Sequence, residues 1–149
     1  MHSLLRKTIK VVAYLAFVAV MVVYTPKVLS KTLKTPYPLA TITSGSMWPV
    51  LKTNDLILMK GVNPADVAIG EIVIFKHQGG FTIHRLIKKE NGKYITKGDA
   101  NGSEDAPILA SDVIGRVVSV GKSPLRVPVI GVIARSLGPK INHLESKYE

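Results

Sequence analysis

The segment FTIHRLIKKENGKYITK, Phe81–Lys97, decides the fold class. Two short runs rich in β-branched and aromatic residues, Phe81–Lys88 and Lys93–Lys97, flank the pair Asn91-Gly92. Asn and Gly accept the positive φ that a type I′ turn demands, so the pair predicts a tight antiparallel hairpin. Along the first run Phe81, Ile83, Arg85 and Ile87 share one face, and Thr82, His84, Leu86 and Lys88 share the other. Outward from this hairpin the pattern repeats. Upstream lie Leu39–Thr43, Leu56–Lys60 and Glu71–Phe75, the last joined to the hairpin through a turn at Gly79-Gly80; downstream lies Val113–Val120. No sustained 3.6-residue periodicity runs through residues 39–126. Short apolar runs with Gly and Asn punctuation predict a mainly β domain, small, coiled and partly open.

The N-terminal stretch is of a different kind. Val11–Tyr24 (VVAYLAFVAVMVVY) carries no charge. It is shorter than the roughly 20 apolar residues of a spanning helix. Ile9 and Val28-Leu29 extend it, with Lys10 and Lys27 long enough to reach headgroups. Pro26 is expected to end or kink the helix. Three readings compete: a membrane anchor, a cleaved signal peptide ending near Val28-Leu29-Ser30, and a buried core helix. The last ranks lowest, because nothing polar gives the segment an exposed face. The run alone does not decide between the first two. Arg6, Lys7 and Lys10 place the N-terminus in the cytosol by the positive-inside rule, and the β domain on the far side.

Composition narrows the function classes. The chain has 149 residues, room for one ordinary domain. It has no cysteine, which excludes disulfides, thiolate metal sites and a cysteine nucleophile. Mean hydropathy is +0.24, high for a small soluble protein and in keeping with a membrane-embedded part. The net charge of +10 is uneven: residues 1–34 hold six Lys or Arg and no acid. A nucleic-acid binder would carry that excess on its folded domain, so no nucleic-acid partner is expected. The expected organisation is an anchor over 1–30, a polar, proline-bearing linker over 31–38, a β domain over 39–126, and a tail over 127–149 that is apolar and then basic. The apolar part, Val127–Leu137, is too short to span a bilayer and reads as strand, surface segment or core.

Three places put reactive side chains where packing does not ask for them. Ser44-Gly45-Ser46-Met47-Trp48-Pro49 follows a strand, and a serine on such a turn presents its hydroxyl from stiff backbone near amides that can face an oxyanion. The bland alternative is a common Ser/Gly loop with an apolar anchor. His84 lies mid-strand, where an imidazole can serve as general base near neutral pH or simply bond a carbonyl. His2, His77 and His143 sit in less telling places. Lys97–Asp105 (KGDANGSED) is an acidic, glycine-rich loop whose Asp99 or Asp105 could orient a histidine. Its spacing does not match an EF-hand, and no metal site is expected; the bland reading is a solvated Asx turn.

Singly these signals are weak; in order, Ser46, His84, then Asp99 or Asp105 behind an apolar helix, they resemble the type I signal peptidases, and within them the archaeal and endoplasmic-reticulum branch. Ser44–Pro49 matches the fixed positions of that family's Ser-x-Ser-Met-x-Pro box. Asn54-Asp55-Leu56-Ile57 and Gly70–Phe75 resemble the segments that follow it. Ile83-His84-Arg85 matches the box in which this branch has histidine and the common bacterial branch lysine. Lys97–Asn101 resembles the Lys-Gly-Asp-Asn-Asn box, and Gly115-Arg116-Val117 the Val-x-Gly-Arg segment. The resemblance spans roughly Ala40–Val120. Trp48 stands where many relatives carry an acid, and Ala100 where the box has its first Asn.

The resemblance implies a membrane-anchored serine endopeptidase that removes signal peptides from exported preproteins. Ser46 is then the nucleophile and His84 the base; Asp105 matches the usual triad acid and Asp99 an acid that supports the site, without a firm choice between them. The Ser46 amide and Ser44 hydroxyl match the oxyanion donors. No cofactor is implied. The substrate is expected to add as a strand to a sheet edge, with Thr41–Thr43 and Ile72–Phe75 as walls, and Met47 and Trp48 are expected at the membrane interface. Expected partners are signal peptides, the lipid bilayer and the translocation machinery. The expected location is the plasma membrane, single-pass, ahead of the endoplasmic reticulum. Two other functions compete: a self-cleaving serine protease on a similar fold, as in LexA-type repressors, and a non-catalytic tethered β module that binds exported chains.

Overall fold

A computed structural model describes residues 2–77 and 80–128. Helix α1 (His2–Leu33) takes in the apolar run and the lysines on both sides of it. Between Leu5 and Leu33 lies an 18-residue run of mean hydropathy 2.0, none of it buried by the rest of the chain. An apolar helix with no protein cover is a helix for lipid. Its 32 residues span about 48 Å at 1.5 Å each, more than the roughly 30 Å of a hydrocarbon core. Pro26 does not end it, contrary to expectation. Proline removes one backbone bond, and the helical turns on either side keep the rest in register. The helix stops eight residues later, where Lys34 takes φ 51° and the Thr35 N–H donates to the Ser30 carbonyl (3.2 Å). This is a Schellman cap with lysine in the usual glycine place. Lys31–Leu33, expected in the linker, are therefore helical.

The strands are β1 (Leu39–Thr41), β2 (Leu56–Lys60), β3 (Ile72–His77), β4 (Gly80–Glu90), β5 (Lys93–Lys97), β6 (Ile108–Leu109), β7 (Val113–Val117), β8 (Ser119–Val120), β9 (Ser123–Pro124) and β10 (Arg126–Val127). The main sheet runs β1-β2-β7-β3-β4-β5-β6, with β10 also on β2, and every pairing is antiparallel. β1 and β6 lie at opposite ends, so the sheet is open. The Asn91-Gly92 hairpin forms as expected, with φ of 48° and 76°. The expected turn at Gly79-Gly80 falls partly outside the described residues, and Gly80 already opens β4. The single strand expected over Val113–Val120 breaks at Val118, whose N–H donates to the Leu58 carbonyl. Ser119–Leu125 then leave as the β8–β9 ribbon, and β10 resumes the pairing opposite Ile57 and Leu56. The tail beyond Pro128 lies outside the described residues.

β3 is central, between β4 and β7, and packs on both faces. Ile72 and Ile74 join Ile42, Met47, Leu51 and Ile57 in one core; Val73 and Phe75 join Val67, Leu86 and Tyr94 in the other. A strand buried on both sides reads as a continuous apolar run rather than an alternating one, which is the Ile-Val-Ile-Phe pattern. It also means that Ile72–Phe75 cannot wall an open cleft, as had been expected.

The connector from α1 is stitched to β2. The Gly61 N–H donates to the Leu33 carbonyl (2.8 Å), and the Met59 N–H to the Pro38 carbonyl (2.9 Å). A Cβ on Gly61 would lie 2.0 Å from the Lys34 carbonyl oxygen, so only glycine lets the helix end approach this closely.

Candidate active site

Ser46 sits on the tight turn that follows β1. The Trp48 N–H donates to the Gly45 carbonyl (3.0 Å) and the Leu51 N–H to the Met47 carbonyl (2.9 Å), which curls the segment back on itself. Adjacent side chains therefore part ways. Met47 is 1% exposed and packs beside Leu51 in the first core, while Trp48 is 58% exposed. The expectation that Met47 lies at the membrane interface is thus corrected: the turn drives it inward.

β4 delivers His84 to the same place. It pairs with Val73 of β3, is 8% exposed, and has the Phe75 ring edge-on at 6.4 Å. Its Nδ1 lies 2.6 Å from Asp105 Oδ2, and its Nε2 lies 3.1 Å from Ser46 Oγ. An ionised carboxylate only accepts, so Nδ1 carries the proton and donates to Asp105. The neutral ring then has Nε2 as acceptor, and Ser46 Oγ–H donates to it. With that proton committed, Ser44 Oγ, 3.1 Å from Ser46 Oγ, is left as the donor of the serine pair.

The loop after β5 closes the site in two grips. The Ala100 N–H holds the Ser46 carbonyl (2.8 Å), and the Asp105 N–H returns to the Thr96 carbonyl (2.8 Å). Thr96, fully buried, donates its hydroxyl to Asp105 Oδ2 (2.6 Å), so that oxygen serves both threonine and histidine. Asp99 goes elsewhere. It accepts two bonds from the Arg85 guanidinium, from Nε (2.7 Å) and Nη2 (2.6 Å), while Arg85 Nη1 donates to the Gly70 carbonyl (2.7 Å). The hydrogen bonds to Asp99 raise the guanidinium pKa above its ordinary value, so the fork stays charged. Of the two acids left open by the sequence, Asp105 meets His84 and Asp99 does not.

The sequence reading missed Thr96 and the clamp made by Arg85. Thr96 had one visible signal: it lies two residues after Tyr94, on the face that alternation turns inward. The replacement of asparagine by Ala100 is harmless to the contact seen here, because the group that grips Ser46 is backbone. Among the described residues no group of three His, Asp or Glu is placed to hold a metal ion.

A serine hydroxyl, an imidazole and a carboxylate in series on an open antiparallel sheet form the arrangement of a serine peptidase. The chain belongs to the peptidase S24-like family, whose model matches residues 17–118. It is similar to the signal peptidase complex catalytic subunit SEC11 of Metarhizium acridum, 33% identical over 108 residues that cover 62% of this chain and 63% of that protein. The SEC11 proteins of Neurospora crassa (32% identical, 66% and 62% covered) and Chaetomium globosum (31% identical, 72% and 67% covered) are similar in the same way. The chain spans under two thirds of the length of the Metarhizium and Neurospora proteins.

Proposed function

We propose that the chain is a membrane-anchored serine endopeptidase that removes signal peptides from exported preproteins. One observation carries the reading: Ser46 Oγ, His84 and Asp105 form a continuous hydrogen-bonded chain although they come from a turn, a strand and a loop. Ser46 Oγ attacks the scissile carbonyl as His84 Nε2 takes its proton. The Ser46 amide and the Ser44 hydroxyl receive the charge that develops on the carbonyl oxygen; one such donor is typically worth about 2.7–4 kcal/mol in the transition state. His84 then passes the proton to the leaving amine, and water, activated by the same ring, releases the acyl group. Asp105 fixes the ring tautomer and favours its charged form during transfer.

The substrate adds as a strand beside β1, the end strand of the sheet, which runs into the Ser44–Ser46 turn. Residues 1–30 anchor the chain, 39–126 are the catalytic unit and 127–149 a tail, with Trp48 facing headgroups. The named relatives are fungal subunits of a signal peptidase complex. They favour work within a complex, and the endoplasmic-reticulum membrane over the plasma membrane; translocation machinery stays an expected neighbour.

The test is incubation of the purified chain in detergent with a signal-bearing precursor. Wild type is expected to cut it in trans, and Ser46→Ala and His84→Ala to leave it whole while keeping a native circular dichroism spectrum. Unchanged cleavage by either variant would overturn the assignment. Cleavage of its own chain alone would favour the self-cleaving reading. Failure of an acylating probe to label Ser46 would favour the non-catalytic module.

A further inference from the structure

We propose that the elbow between α1 and the sheet binds the phosphate of an anionic phospholipid from the bilayer that α1 enters. An open hollow of about 610 Å³ lies where the helix meets its connector, lined by Lys27, Lys31 and Lys34 together with Pro26 and Pro36. Lys27 and Lys31 are four residues apart and share a face of the last helical turns, and Lys34 is the left-handed residue that caps them. None of the five ion pairs among the described residues involves them. The sequence has no acid before Asp55, and Asp55 is held by Arg126 and by the Lys52 amide. The stems of three lysines thus line the hollow, and among the described residues no acid pairs with their ammonium groups.

Position identifies the counter-ion. From Lys10 to Lys27 the helix rises about 25 Å, close to the roughly 30 Å of a hydrocarbon core. The hollow therefore stands at headgroup height on the side of the β domain, within one turn of the apolar run that ends at Tyr24. A phosphate bound there keeps its acyl chains in the bilayer, which favours a lipid over free phosphate. Lys27 Nζ already lies 5.6 Å over the Tyr24 ring, an interfacial pairing. The charge distribution agrees. Arg6, Lys7 and Lys10 suffice to hold the N-terminus in the cytosol, and three more cations on the far side work against that bias. Their presence there calls for another purpose, and binding anionic headgroups supplies one. The site is also stiff: the Thr35 N–H caps Ser30, the Tyr37 N–H donates to Thr35 Oγ1 (3.2 Å), and Gly61 pins the helix end. This inference rests on the membrane reading of α1 and not on catalysis.

The test uses the full chain in vesicles of equal parts phosphatidylcholine and phosphatidylglycerol. Trace photoreactive analogues of each lipid are crosslinked, and the labelled peptides are mapped by mass spectrometry. Phosphatidylglycerol is expected to label the peptide around Pro26–Pro36 in clear excess. The excess should fall about fivefold per lysine neutralised in Lys31→Gln/Lys34→Gln, and persist in Lys7→Gln/Lys10→Gln and in added inorganic phosphate. Equal labelling by the two lipids in wild type, an unchanged ratio in Lys31→Gln/Lys34→Gln, or an equal loss in Lys7→Gln/Lys10→Gln would overturn the proposal. Displacement by inorganic phosphate would overturn it in favour of a free-anion site.

Discussion

Asp99 and Asp105 leave the same strand on the same loop, yet each answers a different partner. Asp105 turns back to Thr96 and meets His84; Asp99 meets the Arg85 fork. Their amide variants should therefore fail differently. Asp105→Asn is expected to keep the fold and lower kcat by about 10⁴-fold, because the ring loses the partner that fixes its tautomer. Asp99→Asn is expected to lower stability by about 1–3 kcal/mol through loss of a charged bidentate bond, with a far smaller change in kcat. Urea unfolding beside steady-state kinetics separates the two, and the reverse pattern would exchange their roles. The sequence reached two candidate acids and stopped there, for a physical reason. Which one meets the imidazole depends on how the loop folds back on β5, a tertiary contact without local periodicity. Met47 is the same lesson at the next turn: its place in an Ser-x-Ser-Met box says nothing about which side the turn aims it toward.

At the scale of elements, the strands with a clear period were legible. β2 and β5 fall where the alternation put them, and Asn91-Gly92 makes its turn. The two-residue strands were not, because no pattern can repeat within two residues; β6, β8, β9 and β10 owe their conformation to the neighbours they pair with. The element that matters most to the site is irregular, the loop from Gly98 to Asp105. It grips the turn bearing Ser46 through the Ala100 amide, and the approach is close: a Cβ on Gly98 would lie 2.7 Å from the Ser46 carbonyl oxygen. Gly98→Ala should push the loop away from Ser46 and open the Ser46–His84 bond. A displacement near 1 Å is expected to lower kcat by about 10²-fold. Hydrogen exchange at the Ala100 amide should quicken in the same variant. Gly45→Ala is the matched control, because a Cβ there meets nothing within 4 Å, and its kcat should stay close to wild type. Similar losses in both variants would mean that glycine flexibility, not close approach, matters at these two positions.

At the scale of the whole molecule, the join between helix and sheet is not the flexible tether that Lys31–Pro38 suggests by composition. The helix runs on to Leu33, its end is capped, and the next residues are hydrogen-bonded to β2 and Gly61. Under the membrane reading of α1, such a join sets the height of Ser46 above the bilayer. Under the proposed function this height has a use, because a signal peptide lies partly in the membrane and its cleavage point comes at a set depth. A stiff mount keeps the nucleophile at that depth, so little of the chain's freedom has to be lost when substrate arrives. Inserting a flexible Gly-Ser segment of about eight residues after Lys34 should release the mount without touching the site. Hydrolysis of a short soluble peptide in detergent is expected to stay at the wild-type rate. Cleavage of a precursor embedded in vesicles is expected to fall about tenfold, as the local concentration of the nucleophile at the cleavage depth is diluted over the volume the longer linker allows. An equal fall in both assays would mean that the insertion harmed the site itself. Equal retention in both would mean that the bilayer, through contacts such as Trp48, holds the domain at its height without help from the elbow.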